Sequence, residues 1–162
     1  MRIRFFVLVL LLCCFVGCAR QQRDLFAPLR GEFSAELHGT LHGVEFAARL
    51  EADALRETER ARAATLTFYA PAGLADTVLT RNGDGTLAFC TDGVTISAPQ
   101  EYGYLFALLL EEKTVTGVTV EDGETRVAGE GFSFSFDGTG ALVGIEGEHV
   151  SARVLSFTVP TM

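Results

Sequence analysis

Cysteine is scarce where it would help hold a fold together. Of four cysteines, Cys13, Cys14 and Cys18 fall within the first eighteen residues, which leaves Cys90 alone in the rest of the chain. No disulfide can close within residues 19–162, so the fold there rests on burial. Cys90 itself reads as a small buried hydrophobe in a strand, with an intermolecular thiol as the alternative. Histidine is nearly as rare. His38 and His42 bracket a turn and are placed to approach one another, but a zinc site needs a third ligand and the nearest supply is ordinary surface glutamate. His149 beside Glu148 reads as a surface pair. Positive charge is also short, with 13 basic against 21 acidic residues. That balance argues against a nucleic-acid partner, because phosphate binding wants a basic surface. Catalytic motifs are missing as well. No Gly-x-Ser-x-Gly elbow occurs. Asn82-Gly-Asp-Gly85 lacks the glutamate that closes a calcium loop, and Gly138-Thr-Gly140 lacks the strand–turn–helix setting of a phosphate loop. The carboxylate pairs Glu111-Glu112 and Glu146/Glu148 show no sign of a cleft. The sequence therefore points to a protein that is not an enzyme, with no catalytic residue, no cofactor and no metal.

A long hydrophobic run is lacking too. Phe5 to Val16 contains no polar side chain, but as a helix it would extend only about 18 Å, short of the ~30 Å core of a bilayer. With Arg2 and Arg4 before it and small residues at its end, it reads as a secretory signal peptide. An uncleaved anchor helix is the alternative. Phe15-Val16-Gly17-Cys18 resembles the lipobox of bacterial lipoproteins. Cys13 and Cys14 follow Leu12 and Cys13, poorer neighbours for a peptidase than Gly17. The resemblance implies a diacylglyceryl thioether on Cys18 and cleavage between Gly17 and Cys18. Two acyl chains anchor stably where one holds only marginally. The chain then divides into a signal peptide at 1–17, a lipidated cysteine and tether at 18–30, and a β-rich domain at 31–162. Its address is the extracytoplasmic face of the cell membrane. Removing Arg2 and Arg4 leaves 11 basic against 21 acidic residues, a formal −10, which disfavours close docking to anionic lipid.

What the chain does have is alternation. Ala19 to Arg30 is a polar tether, from which Leu25, Phe26 and Leu29 begin to pack on the domain edge. Phe33, Ala35 and Leu37 alternate with polar neighbours, and after a glycine-bounded turn at Gly39 to Gly43 so do Val44, Phe46, Ala48, Leu50 and Ala52. Two half-buried strands is the direct reading. A third strand begins at Ala64 and stops at Pro71. Asn82-Gly, Asp92-Gly93 and Asp122-Gly123 supply the positive φ that hairpins need. Gln100 to Glu112 switches period: Tyr102, Leu105, Phe106 and Leu109 form a helical stripe, and the remaining faces are apolar too. Ser97 or Gln100 is placed to cap this helix. Strands resume at Val115, and Phe132, Phe134 and Phe136 give one strand an intensely apolar face. The last strand changes face near Val154, which a bulge would explain. The fold class is mainly β with one central helix (α+β). Ten or eleven strands make a sheet too wide to stay flat, so the expected form is a curled antiparallel sheet or half-barrel wrapped on an apolar helix.

The opening hairpin Phe33 to Ala52, the run Phe68-Tyr-Ala-Pro71 leading to Gly73-Leu74, and the strand ending at Asn82-Gly83 resemble the LolA/LolB-like superfamily of lipoprotein carriers and related envelope lipoproteins. The likeness spans about Gly31 to Pro160. It implies a half-barrel with a helix in its concavity and an apolar cavity for acyl chains. The chain lacks the long opening helix of the carriers, and a lipidated protein cannot act as a soluble shuttle. Phe106, Leu109, Phe132, Phe134 and Phe136 are the residues expected to line such a cavity; a dense core is the alternative use of the same side chains. Two functions follow from these readings. One is a membrane-anchored lipoprotein that binds lipid or another hydrophobic ligand in an apolar concavity. The other is a tethered module that holds an envelope protein partner through its sheet edge or acidic face.

Cys18→Ser is expected to leave an unlipidated precursor. Labelled fatty acid should no longer enter the protein, and membrane fractionation should find it released; uptake of label by the variant would refute the assignment.

Overall fold

The computed structural model describes residues 24–160. The signal peptide, Cys18 and the tether as far as Arg23 lie outside the described residues. A short helix, α1 (Ala27–Arg30), precedes six strands: β1 (Phe33–Leu41), β2 (Val44–Ala52), β3 (Ala64–Ala70), β4 (Val78–Arg81), β5 (Leu87–Thr91) and β6 (Val94–Ser97). A 3-10 turn over Gln100–Gly103 then runs into helix α2 (Tyr104–Leu110). Five strands follow: β7 (Val115–Glu121), β8 (Glu124–Gly129), β9 (Phe132–Phe136), β10 (Leu142–Gly147) and β11 (Val150–Thr158). Among the described residues no helix is long and apolar enough to cross a membrane.

All eleven strands form one antiparallel sheet in the order β6-β5-β4-β3-β2-β1-β11-β10-β9-β8-β7. Each half is a meander of neighbouring strands. His42 and Gly43, Asp92 and Gly93, and Asp122 and Gly123 all take positive φ, the two-residue geometry whose twist matches that of the flanking strands. The first of these turns corrects the sequence reading. Gly39 is not part of it, because β1 continues to Leu41. Gly39 is instead a place where the β11 backbone leaves no room for a side chain on β1. A Cβ built there would lie 2.0 Å from the Ser151 carbonyl oxygen and 2.6 Å from the Ala152 Cα. Only a residue without a side chain fits.

The two meanders meet only where the first strand pairs with the last. β1 runs beside β11 from Ser34↔Thr158 to Leu41↔Val150, with one register shift at which Leu155 is the extra residue. This bulge accounts for the change of face in the last strand. Val150, Ala152 and Val154 point into the core, Leu155 is exposed, and Phe157 returns to stack on Phe33 with ring centroids 5.3 Å apart.

The link between the two outer strands forces curvature. Ten strand spacings of about 4.8 Å make a flat sheet about 48 Å wide. Residues 98–114 must run from β6 to β7. Laid end to end, their α-helical, 3-10 and extended stretches reach about 40 Å. The sheet therefore curls, its edges staying unpaired with each other, and the helix crosses its concave side. Leu105, Phe106, Leu108 and Leu109 are all buried there, as a helix apolar on nearly every face requires. The α-helical part is shorter than the periodicity predicts. Gln100 to Gly103 forms the tighter 3-10 turn, and neither Ser97 nor Gln100 caps α2, whose N-cap is Gly103 with no side-chain bond. Its far end is held by Lys113, whose Nζ donates to the Ala107 carbonyl at 2.7 Å. Cys90, expected to be buried, is half-buried on β5, because the alternation that turns Leu87 and Phe89 to the concave side puts Cys90 on the opposite face.

Gly39→Ala is expected to cost about 2–4 kcal/mol in urea unfolding, since the β1–β11 backbones must separate to admit the methyl group. Gly117→Ala on β7, where nothing lies within 4 Å of the added carbon, should be nearly neutral.

Candidate functional site

The concave face is built from rows of cross-strand neighbours, which by the pleat all point to the same side. One row runs Ala35, Leu50, Leu66, Leu79, Phe89, Ile96 from the central β1 to the β6 edge. Another runs Ala152, Ile145, Phe134, Val127, Val118 from β11 to the β7 edge. Both rows are sealed in the middle and open at the rim: Leu50 is 0 % exposed but Ile96 56 %, and Phe134 is 1 % exposed but Val118 56 %. The helix covers the centre of the concavity and stops short of its margins. The result is an apolar trough that is filled along its axis and uncovered at both edges.

All five residues expected to line a cavity share one apolar cluster: Phe106 and Leu109 from α2, Phe132, Phe134 and Phe136 from β9. Each is buried. Phe132 also borders a surface recess of about 400 Å³ beside Leu108, Lys113 and Glu130. The others lie beneath.

Over the phenylalanine face lies a segment that the alternation did not place. Residues 24–28 form an arm with no strand pairing. Phe26 packs edge-on against Phe134 and Phe136, with centroid distances of 5.6 and 5.8 Å, and Leu25 also packs against the core, half-buried. The arm's own hydrogen bonds close within residues 24–30. Ala27 N donates to Asp24 O, Leu29 N to Phe26 O, and Phe26 N to the Asp24 carboxylate. Arg30 pairs with the same carboxylate, and this guanidinium contact holds the Asp24 pKa below its ordinary value. Just beyond the arm the chain is pinned. Arg62, 7 % exposed, donates Nε to Asp53 O at 3.0 Å and its two Nη groups to the carbonyls of Leu29 and Gly31. Its guanidinium lies over the Phe33 ring at 5.5 Å. Burial lowers the Arg62 pKa, partly offset by the Asp53 charge.

The arm's energy is close to balance. Half-burying two large apolar side chains is worth roughly 1.5–3 kcal/mol and two edge-on ring contacts roughly 1–3 kcal/mol, while the exposed ion pair adds little. Ordering five backbone residues costs roughly 5 kcal/mol or more. The pinned residues 29–31 are therefore fixed, and the arm in front of them is a loosely held cover.

The opposite margin of the helix carries the polar side chains. A recess of about 400 Å³ is bordered by His42, Arg81, Tyr104, Glu111 and His149 among others. His42 does not meet His38, which is exposed on the convex face. It stacks on His149 with centroids 4.6 Å apart, because the β1–β2 and β10–β11 turns lie side by side and His42 N donates to His149 O at 2.7 Å. Nothing local in the sequence joins residues 107 positions apart. The Tyr104 hydroxyl accepts a bond from Glu148 N at 2.8 Å. Of the carboxylates singled out from the sequence, Glu111 pairs with Arg81 at 2.9 Å and Glu146 with Arg126. His149 and Glu148 stand 3.9 Å apart, at the outer limit of an ion pair. Among the described residues no group of three or more His, Cys, Asp or Glu side chains is placed to hold a metal.

No protein-family model matches the chain, and no curated protein is significantly similar to it. Solved structures do resemble it. An uncharacterized conserved protein from Thermus thermophilus superposes with a TM-score of 0.54 at 13% identity, over 85% of this chain and 84% of that one; the two share the overall fold. A putative outer membrane lipoprotein-sorting protein domain from Vibrio parahaemolyticus gives 0.47 at 9% identity, over 87% and 90%. A LolA superfamily protein from Nitrosomonas europaea gives 0.41 at 7% identity, over 86% and 94%.

Arg62→Met should cost about 3 kcal/mol in urea unfolding, because one buried and two partly buried carbonyls lose their donor. Limited trypsin digestion should then cut after Arg30 much faster than in the wild type, and Arg62→Lys should restore only part of the protection.

Proposed function

We propose that this protein is a non-catalytic lipoprotein, anchored through Cys18 to the extracytoplasmic face of a membrane, that binds lipid or another hydrophobic ligand on its concave face. The observation that carries the reading is the course of the two apolar rows. Side chains continuous with a sealed core emerge exposed at both sheet edges, with nothing over them among the described residues. A soluble domain that only needed a core would end such rows in polar residues. The resemblance of the hairpin and the Phe68-Tyr-Ala-Pro71 run to LolA/LolB-like lipoproteins supports the same use of the concavity. On this reading the domain has no catalytic task, and the acidic surface keeps a tethered protein dispersed.

A second reading rests on one observation of its own. β7 is exposed along its whole length, and as an outer strand it presents an unpaired backbone edge. Such an edge can accept a strand from an envelope protein partner. The two readings differ in what travels with the purified protein.

Protein extracted gently, then denatured and analysed by mass spectrometry, is expected to release lipid in near-stoichiometric amount. Protein that is consistently empty, yet captures a specific membrane protein in a pull-down that β7 substitutions abolish, would favour the second reading.

A further inference from the structure

We propose that the slot filled by the Phe26 ring is an acyl-chain site and that the arm of residues 24–28 is its built-in plug. The proposal rests on the lipid-binding reading above and gives that reading a place. Phe26 sits on Phe134 and Phe136. From these two residues the cross-strand rows continue outward, Phe134 to Val127 to Val118, and Phe136 to Thr125 to Val120. Val118 is 56 % and Val120 70 % exposed. The slot and the valine ledge thus belong to one surface, two rows wide and about 10 Å across, covered at one end by Phe26 and bare at the other. Lifting the arm joins them into a continuous strip in which Thr125 is the one polar side chain.

The shape and chemistry of that strip select the ligand. It is narrow and linear, and its residues' backbone groups on β8 and β9 are committed to the sheet, so it recognises by apolar contact. An extended acyl chain asks for no hydrogen bond and matches it. The plug is suited to leave. Its hydrogen bonds stay within residues 24–30, and the pivot behind it is fixed by Arg62 at the Leu29 and Gly31 carbonyls. The ligand source is a bilayer lipid. Five residues separate Cys18 from Asp24, six steps of the chain and a reach of about 20 Å at most. The membrane that holds Cys18 is therefore close to the plugged slot.

The full lipidated chain is reconstituted into phosphatidylcholine vesicles doped with a phosphatidylcholine that carries a photoreactive diazirine in its acyl chain. After irradiation, cross-linked peptides are mapped by mass spectrometry. A site blocked by its own plug shows an occupancy reduced by the closed fraction. Phe26→Ala is thus expected to raise cross-linking to the β7 and β9 peptides about tenfold over wild type. Asp24→Asn, which weakens the link to Arg30 without touching the slot, should give a smaller rise. Adding Val118→Glu and Val120→Glu to Phe26→Ala should return the signal to the wild-type level. Both valines are exposed, and circular dichroism should show each variant folded. Cross-links that fall on β6 or elsewhere in the domain, and ignore Phe26, would overturn the plug while leaving lipid binding intact. Cross-links confined to residues 1–23 in every variant would overturn both.

Discussion

The pairing of β1 with β11 is the contact on which the rest depends. Every other pairing in the sheet joins strands that are neighbours in sequence, so each half could be written as a local meander. Joining the first strand to the last makes one surface of eleven strands and fixes how far apart β6 and β7 lie. The approach is so close at Gly39 that no side chain fits between the backbones. The crossover between the outer strands is then too short for a flat sheet, and curvature follows from chain length. The helix lies in the concavity because the only covalent route from β6 to β7 runs across it.

That route also leaves the margins bare. A helix of seven residues covers roughly 10 Å of a much wider surface, and it lies along the middle. The same apolar rows that make the core at Leu50 and Phe134 become ledges at Ile96, Val118 and Val120. At the β7 side the chain's own Phe26 covers part of what the helix leaves open. Its hold is a few apolar contacts and an exposed ion pair, whereas the residues behind it are fixed by two bonds from a buried arginine. A rigid pivot and a marginal cover are built from adjacent residues, and the difference between them is the presence of Arg62.

The polar features make a separate group. Tyr104, His42 and His149 cluster where two hairpin turns come together, and one carboxylate of each pair seen in the sequence, Glu111 and Glu146, is engaged by an arginine from a different element. These contacts tie turns and helix to the sheet. They bring together a recess of about 400 Å³, in which Glu111 and the Arg81 guanidinium are already bonded to each other.

Alternation and turn chemistry were enough, from the residues alone, to read the strands, most of their hairpins, a change of face near Val154 and an apolar helix in the middle; that a bulge makes the change of face came from the β1–β11 register. Those two signals depend on neighbours in the chain: side chains alternate across a strand, and Asp-Gly, as at Asp92-Gly93 and Asp122-Gly123, supplies positive φ whatever lies around it. The five phenylalanine and leucine positions were legible as one apolar set for the same reason. Only the tertiary structure decided what depends on distant partners. It set β1 against β11 and so turned Gly39 from a turn residue into a point of contact. It brought His42 to His149 rather than to His38. It laid Phe26 over Phe134 and Phe136, and it aimed Arg62 at carbonyls more than thirty residues earlier. No local pattern encodes these meetings, because each is fixed by the curl of the whole sheet rather than by the residues that meet.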